Sequence, residues 1–370
     1  FTNNKADYSS AISYTPQDVE KVGATKANIT YCNFENNVAY ITGTVRFDSS
    51  QGNIKFCNFT NNVAGSAAGI YVYINDVTIE QCRFNNNDAT SGNGGAIFAD
   101  HNPSINYNNT SILYCVFTGN HASGNGGAVY MMTKDNIISN SNFTSNRADG
   151  NGGAVYTTNT NQKIIYSNFI KNNALDGGAV YLSGQNSIIS YSNFINNTAA
   201  RNGGAVLLAN SNQKILGSLF DGNNATKDGG SVYVSGTSGM QIEDSTFKNS
   251  NAYNGGALYH SGGSTNSLKL LNDTFIKNIA SHNGGAVYYI YNIANPQIYR
   301  DYNNFDSVGI IDGTPHRTSV TMVDGSVSFA NAIERCLFED NRDYYYAVDS
   351  STDGTVAVIT LTIPRVSRDG

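Results

Sequence analysis

Two aspartates, Asp176 and Asp228, stand at the same place in a recurring stretch, each directly before a Gly-Gly pair. Brought together on one face, such carboxylates could share a cation or divide the roles of acid and base at a glycosidic bond. Asn fills that place in the other six of its eight occurrences, which favours a turn residue accepting backbone hydrogen bonds. Asp221, Glu243 and Asp244 are scattered, and the five histidines (His101, His121, His260, His282 and His316) share neither a position nor a metal-ligand spacing. The cysteines do share a position. Cys32, Cys57, Cys82, Cys115 and Cys336 each lie two residues before a Phe, where other stretches carry Ser141, Ser167, Ser192, Ser218, Ser245, Asp273 or Asn303. Interchange of Cys with Ser describes a small, buried, weakly polar position and not a metal site.

What must position these residues is a repeat. Phe recurs at 34, 59, 84, 117, 143, 169, 194, 220, 247, 275, 305 and 338, mostly at intervals of 25 to 28. Five residues before it stands Ile or Leu in eleven of the twelve copies. Asn stands three after it in ten, and Ala five after it in ten. A second block, Gly-Gly-Ala (once Gly-Gly-Ser) followed by an aliphatic residue, completes eight of the units, at Gly94, Gly126, Gly152, Gly177, Gly203, Gly229, Gly255 and Gly284. Columns of like residues at a fixed period are what parallel strands stacked about 4.8 Å apart require, because each residue then packs on its own copy. Such an arrangement predicts an all-β, right-handed, single-stranded parallel β-helix of about 12 rungs. Phe and Ile fill its core, Asn hydrogen-bonds Asn along the stack, and Gly-Gly turns corners where φ is positive or backbones pass closely. A leucine-rich repeat would need more Leu, and a propeller blade a longer period.

Within that framework, cysteines on neighbouring rungs lie close enough for a bridge such as Cys57 to Cys82. In-register side chains run parallel, however, and the odd count leaves one over, so a column of free thiols is expected. The aliphatic residue after Gly-Gly-Ala faces the core. By the period-two rule its neighbour faces out. That outer position holds Tyr71, Phe98, Tyr130, Tyr156, Tyr181, Leu207, Tyr233, Tyr259 and Tyr288, an aromatic stripe that is either a self-packing ladder or a surface for sugar rings or another protein.

Composition narrows the partners. Only 14% of residues are charged, Trp is absent, and 24 Tyr and 37 Gly accompany abundant Asn and Ser. Strand and turn formers dominate. A net charge of −6 without segregation offers no footprint for nucleic acid, and no apolar run approaches a membrane-spanning helix. Neither catalytic nor metal residues nor a cofactor are assigned. Eight Asn-x-Ser/Thr sequons, among them Asn58, Asn142 and Asn224, suit an exported chain.

Paired Phe-x-x-Asn and Gly-Gly-Ala-(Ile/Leu/Val) tetrapeptides, over roughly residues 28–341, resemble the signature of the chlamydial polymorphic outer-membrane proteins and the repeats of adhesin-like surface proteins of methanogenic archaea. The resemblance implies an extracellular adhesin or structural β-helix on the cell surface that attaches to a host or neighbouring cell, through glycan or protein, or associates with itself in surface filaments. A polysaccharide lyase or hydrolase of the β-helix type and a viral tail-spike are the alternatives. Residues 1–27 are expected to form an irregular first coil or cap, and 342–370 a closing strand or the start of a following domain. Longer stretches around His101 to Asn109 and Asp312 to Thr318 read as loop insertions. Since Phe1 to Asn4 already match the repeat, the chain reads as a part, or a processed form, of a larger protein.

Overall fold

A computed structural model describes residues 1–14, 26–48, 51–73, 76–101, 109–236, 238–261 and 268–292, with the short segments 298–301, 308–311, 314–317, 320–323, 333–334, 336–339, 341 and 356–360. Strands and turns make up all of these; among the described residues there is no helix. The chain forms two compact units, Phe1–Asn193 and Phe194–Gly370.

In the first unit one coil shows the plan of all. Four strands follow one another: Thr110–Leu113, Val116–Thr118, His121–Ala122 and Val129–Met131. Each pairs in parallel with its own copy on the coils before and after, so that Ile112 registers with Ile79 and Ile138, Phe117 with Phe84 and Phe143, Ala122 with Ala89 and Ala148, and Val129 with Ile97 and Val155. Both tetrapeptides of the repeat thus mark particular strands of a four-sided coil. The phenylalanines stack with ring centroids 4.6–4.9 Å apart and planes within 11° of parallel, because the backbone repeat sets the ring spacing. At 0% exposure they form the middle of the core with the Ile column. Phe1 joins this stack, 5.0 Å from Phe34, and Ile12–Tyr14 pairs with Val45–Asp48, so the coil that opens the chain is already in register.

The second unit repeats the plan. Phe220 registers with Phe247, Phe247 with Phe275, and Phe275 directly with Phe338. This corrects the expected rung at Phe305. Between the two partners the chain leaves the coil and forms two antiparallel pairs, Ile298–Asp301 with Val320–Val323 and Val308–Ile311 with Thr314–Arg317. Among the described residues there are eleven Phe strands, six in the first unit and five in the second, slightly fewer than the twelve expected. Phe305 itself lies outside the described residues. The strand Val356–Thr360 runs antiparallel along Val287–Asn292.

Corners explain the remaining columns. The first Gly of each Gly-Gly pair takes positive φ (64° at Gly94), and a Cβ on the second, Gly95, would run into the carbonyl of Gly127 on the next coil. At the corner after Phe, the Asn column is buried and continuous. Asn37 Nδ2 donates to Asn62 Oδ1 and Asn62 Nδ2 to Asn87 Oδ1, both across 2.9 Å, and the pattern continues through Asn120 and Asn146. In the second unit Ser250 replaces one Asn, and its Oγ meets that of Ser231 at 2.7 Å.

Candidate binding surface

Of the predicted stripe, Tyr71, Phe98, Tyr130, Tyr156 and Tyr181 fall in the first unit, and Tyr233, Tyr259 and Tyr288 in the second. The ladder forms. Tyr130 lies 5.2 Å from Tyr156 and Tyr156 4.8 Å from Tyr181, while Tyr233 lies 5.1 Å from Tyr259 and Tyr259 5.2 Å from Tyr288. Phe98 breaks the parallel run by meeting both Tyr71 and Tyr130 edge-on. Each ring spends its faces on its neighbours, so the stripe is far more covered than an outward column suggests. Tyr71, Tyr130, Tyr259 and Tyr288 keep only 8–9% of their surface, and Phe98, Tyr156, Tyr181 and Tyr233 are half-buried. Burial pushes the Tyr130 hydroxyl up to about 12, with the neighbouring Tyr156 adding to the shift. At the foot of the ladder the Tyr71 hydroxyl donates to Asp100 across 2.6 Å and the Arg46 guanidinium lies over its ring, itself paired with Asp48 at 2.7 Å.

A second aromatic column escaped the sequence analysis. Tyr31, Phe56, Tyr114, Tyr166 and Tyr191 stand three residues before Phe, at the corner that precedes the Phe strand, and their exposures are 76, 40, 55, 56 and 57%. All five take positive φ, between 49° and 56°. Adjacent members stack, Tyr31 on Phe56 at 4.8 Å and Tyr166 on Tyr191 at 5.3 Å, with planes 6° and 12° apart. The same corner is filled by Asn140, Gly217, Asp244 and Asn272 on other coils, residue types that enter the left-handed region at lower cost. A bulky ring here gains little burial and carries backbone strain, which makes it the least economical choice for stability alone. The signal was present in parity: Ile five before Phe and Cys or Ser two before it both face inward, an odd separation that only a corner between them allows.

The remaining candidates resolve into structural roles. Cys32, Cys57, Cys82, Cys115 and Cys336 are free thiols, buried except at Cys32. Cys57 Sγ accepts the backbone N–H of Cys32 at 3.4 Å and donates to the Lys55 carbonyl at 3.2 Å; Ser141 Oγ makes the same two bonds, to Cys115 N–H and the Ser139 carbonyl. One hydrogen-bond pattern therefore accepts either residue. Asp176 is buried, and its backbone carbonyl accepts from Gly152 N–H. Asp228 Oδ1 accepts from Asn254 Nδ2 at 2.8 Å, and burial raises its pKa. Asp273 stands in the Cys/Ser column, where Oδ1 accepts from Ser245 N–H at 2.9 Å and Oδ2 from Leu271 N–H at 3.2 Å. His121 bridges Asp88 at 2.7 Å and Asp149 at 3.4 Å on the Ala side of the coil. Among the described residues no group of three or more His, Cys, Asp or Glu is placed to hold a metal ion. The insertion His101 to Asn109 lies almost wholly outside the described residues, and of Asp312 to Thr318 the strand Thr314–Arg317 is described.

Comparison with known families agrees with this architecture. A right-handed beta helix region matches residues 107–247, which defines the class of the fold. The Chlamydia polymorphic membrane protein repeat matches residues 81–100, a span containing one copy of both tetrapeptides, Phe84 to Asn87 and Gly94 to Ile97. The chain is a right-handed parallel β-helix that carries this repeat. No curated protein and no solved structure matches it.

Proposed function

We propose that this β-helix is the adhesive region of an extracellular, cell-surface protein, attaching to glycan or protein on a host or neighbouring cell or to further copies of itself. The observation that carries this reading is the corner column: five aromatic side chains 40–76% exposed, at positions where Asn or Gly would cost less. Such rings contribute large contact area at small conformational cost, and a stacked solenoid repeats them along one line. The polymorphic membrane protein repeat supports surface display. The self-stacked, half-buried to buried Tyr130 to Tyr181 ladder would then serve to hold the coil. Beads coated with the purified chain should retain cells or extracted surface glycans and proteins. Retention that survives replacement of Tyr114, Tyr166 and Tyr191 by Ser would sink the assignment of the corner column.

A further inference from the structure

We propose that the corner column contains a pyranoside-binding slot at the step of Asn140, between the rings of Tyr114 and Tyr166. Within the column, coils follow one another at about 4.8 Å, so Tyr114 and Tyr166, two coils apart, are separated by roughly 9 to 10 Å. The coil between them carries Asn140, whose side chain ends where a tyrosine ring only begins. Backbone geometry is the same at all three residues, with φ of 54°, 50° and 50°. Tyr114 makes no ring contact among the described residues, whereas Tyr166 stacks on Tyr191 and has no second ring partner among them.

The width of that step selects the ligand. Two carbon–carbon contacts of about 3.5 to 4.0 Å, one to each wall, take up about 7 to 8 Å and leave about 2 Å for the thickness of what is inserted. A flat aromatic ring is too thin to touch both walls. A puckered, saturated ring with its axial hydrogens fills the space and presents C–H bonds to both tyrosine faces. The floor is polar, as such a ring with hydroxyl edges requires. Asn140 Nδ2 donates to Ser139 Oγ at 2.7 Å, which draws the amide back against the coil and leaves Oδ1 without a partner among the described residues, as an acceptor for a sugar hydroxyl. At the step between Phe56 and Tyr114 the longer Gln81 takes up more of the same space.

This slot rests on the adhesive reading, in which the corner column is the contact surface. The test is titration of the whole chain with methyl glycosides of a panel of hexopyranoses, followed by saturation-transfer NMR, with phenol as the planar control. We expect saturable binding of at least one glycoside, saturation concentrated on its C–H faces, and weaker binding of phenol. Asn140→Tyr fills the step with the residue used on neighbouring coils. It should weaken glycoside binding about tenfold or more while keeping the fold, with melting lowered at most slightly by a ring at positive φ. Tyr114→Ser should weaken binding from the other wall, and Tyr156→Ser, on the separate ladder, should leave it unchanged. Failure of every glycoside to bind, equal affinity in Asn140→Tyr, or phenol binding as tightly as the sugars would each overturn the slot. If the slot fails while cells still attach and detach on Tyr166→Ser, the adhesive reading survives without it; if cells never attach, both fall.

Discussion

Asn62 and Asn87 occupy the same corner of successive coils, and Asn87 Oδ1 receives both the side-chain Nδ2 and the backbone N–H of Asn62, at 2.9 and 3.2 Å. Asn62 Nδ2 also donates to the Phe34 carbonyl at 3.0 Å. One amide therefore satisfies the donor and the acceptor that a buried corner leaves open, and does so again at Asn87 and Asn120. No other side chain of that length offers both functions, which is why the column tolerates so few exceptions.

Asn120→Ala should be among the costliest single changes in the first unit. It strands the Asn87 backbone N–H and Nδ2, which reach Asn120 Oδ1 at 3.0 and 2.9 Å, and the Phe84 carbonyl, which accepts at 3.0 Å. At about 1 to 3 kcal/mol for each buried unsatisfied group, partly relieved by entering water, the loss should reach about 3 kcal/mol. A urea midpoint measured with unchanged slope reads it directly. A loss below about 1 kcal/mol would mean that water replaces the ladder almost fully.

Thiol reactivity follows from the Cys column. Hydrogen bonding with Cys115 and burial push Cys82 up to about 12, and Cys57 is raised further by its own bond with Cys82 and by burial. At pH 8 the native protein should react slowly with a disulfide reagent, Cys32 first because it is the most exposed, and the denatured protein should yield five thiols without reductant. Recovery of three thiols or fewer would show a bridge instead.

Asp273 should make the second unit less stable as pH rises. Desolvation raises its carboxyl from 3.8 to about 8, against the two backbone N–H bonds that favour the charged form. Between those values the native state holds a proton that the unfolded chain has released, so unfolding free energy falls with increasing pH over that window. Asp273→Ser restores the residue found elsewhere in the column. It should match the parent near pH 4 and exceed it by on the order of a few kcal/mol near pH 8. Parallel melting curves from pH 4 to 9 would contradict this.

The fold was legible because its columns are periodic: Phe117, Ile112, Asn120 and Ala122 each repeat at one register, and the register is the structure. Phe305 misled for the same reason in reverse. It falls near the expected interval, yet the Phe275 strand pairs with Phe338, and the segment between them forms antiparallel strands that the column count could not foresee. The outward stripe was legible in direction and not in exposure, since ring-on-ring stacking covers Tyr130 whichever way it points. The corner column stayed hidden because positive φ turns Tyr114 and Tyr166 away from the strand alternation by which facing was judged.

Those two aromatic columns separate in one experiment. Replacing Tyr156 and Tyr181 by Ser removes rings that stack on each other at 4.8 Å and are half-buried, so the melting temperature should fall by an amount corresponding to about 1 kcal/mol or more per ring. Replacing Tyr114, Tyr166 and Tyr191 by Ser removes rings more than half exposed. Little packing is lost there and backbone strain changes little, so melting should stay within about 0.5 kcal/mol of the parent while attachment to cells or glycans drops several-fold. The contrast matters more than either result alone, because a general loosening of the solenoid would lower attachment and melting together. Attachment that follows the Tyr156 and Tyr181 pair, with melting unchanged, would move the contact surface to the ladder beside Gly-Gly-Ala and leave the corner rings as exposed strain without a use.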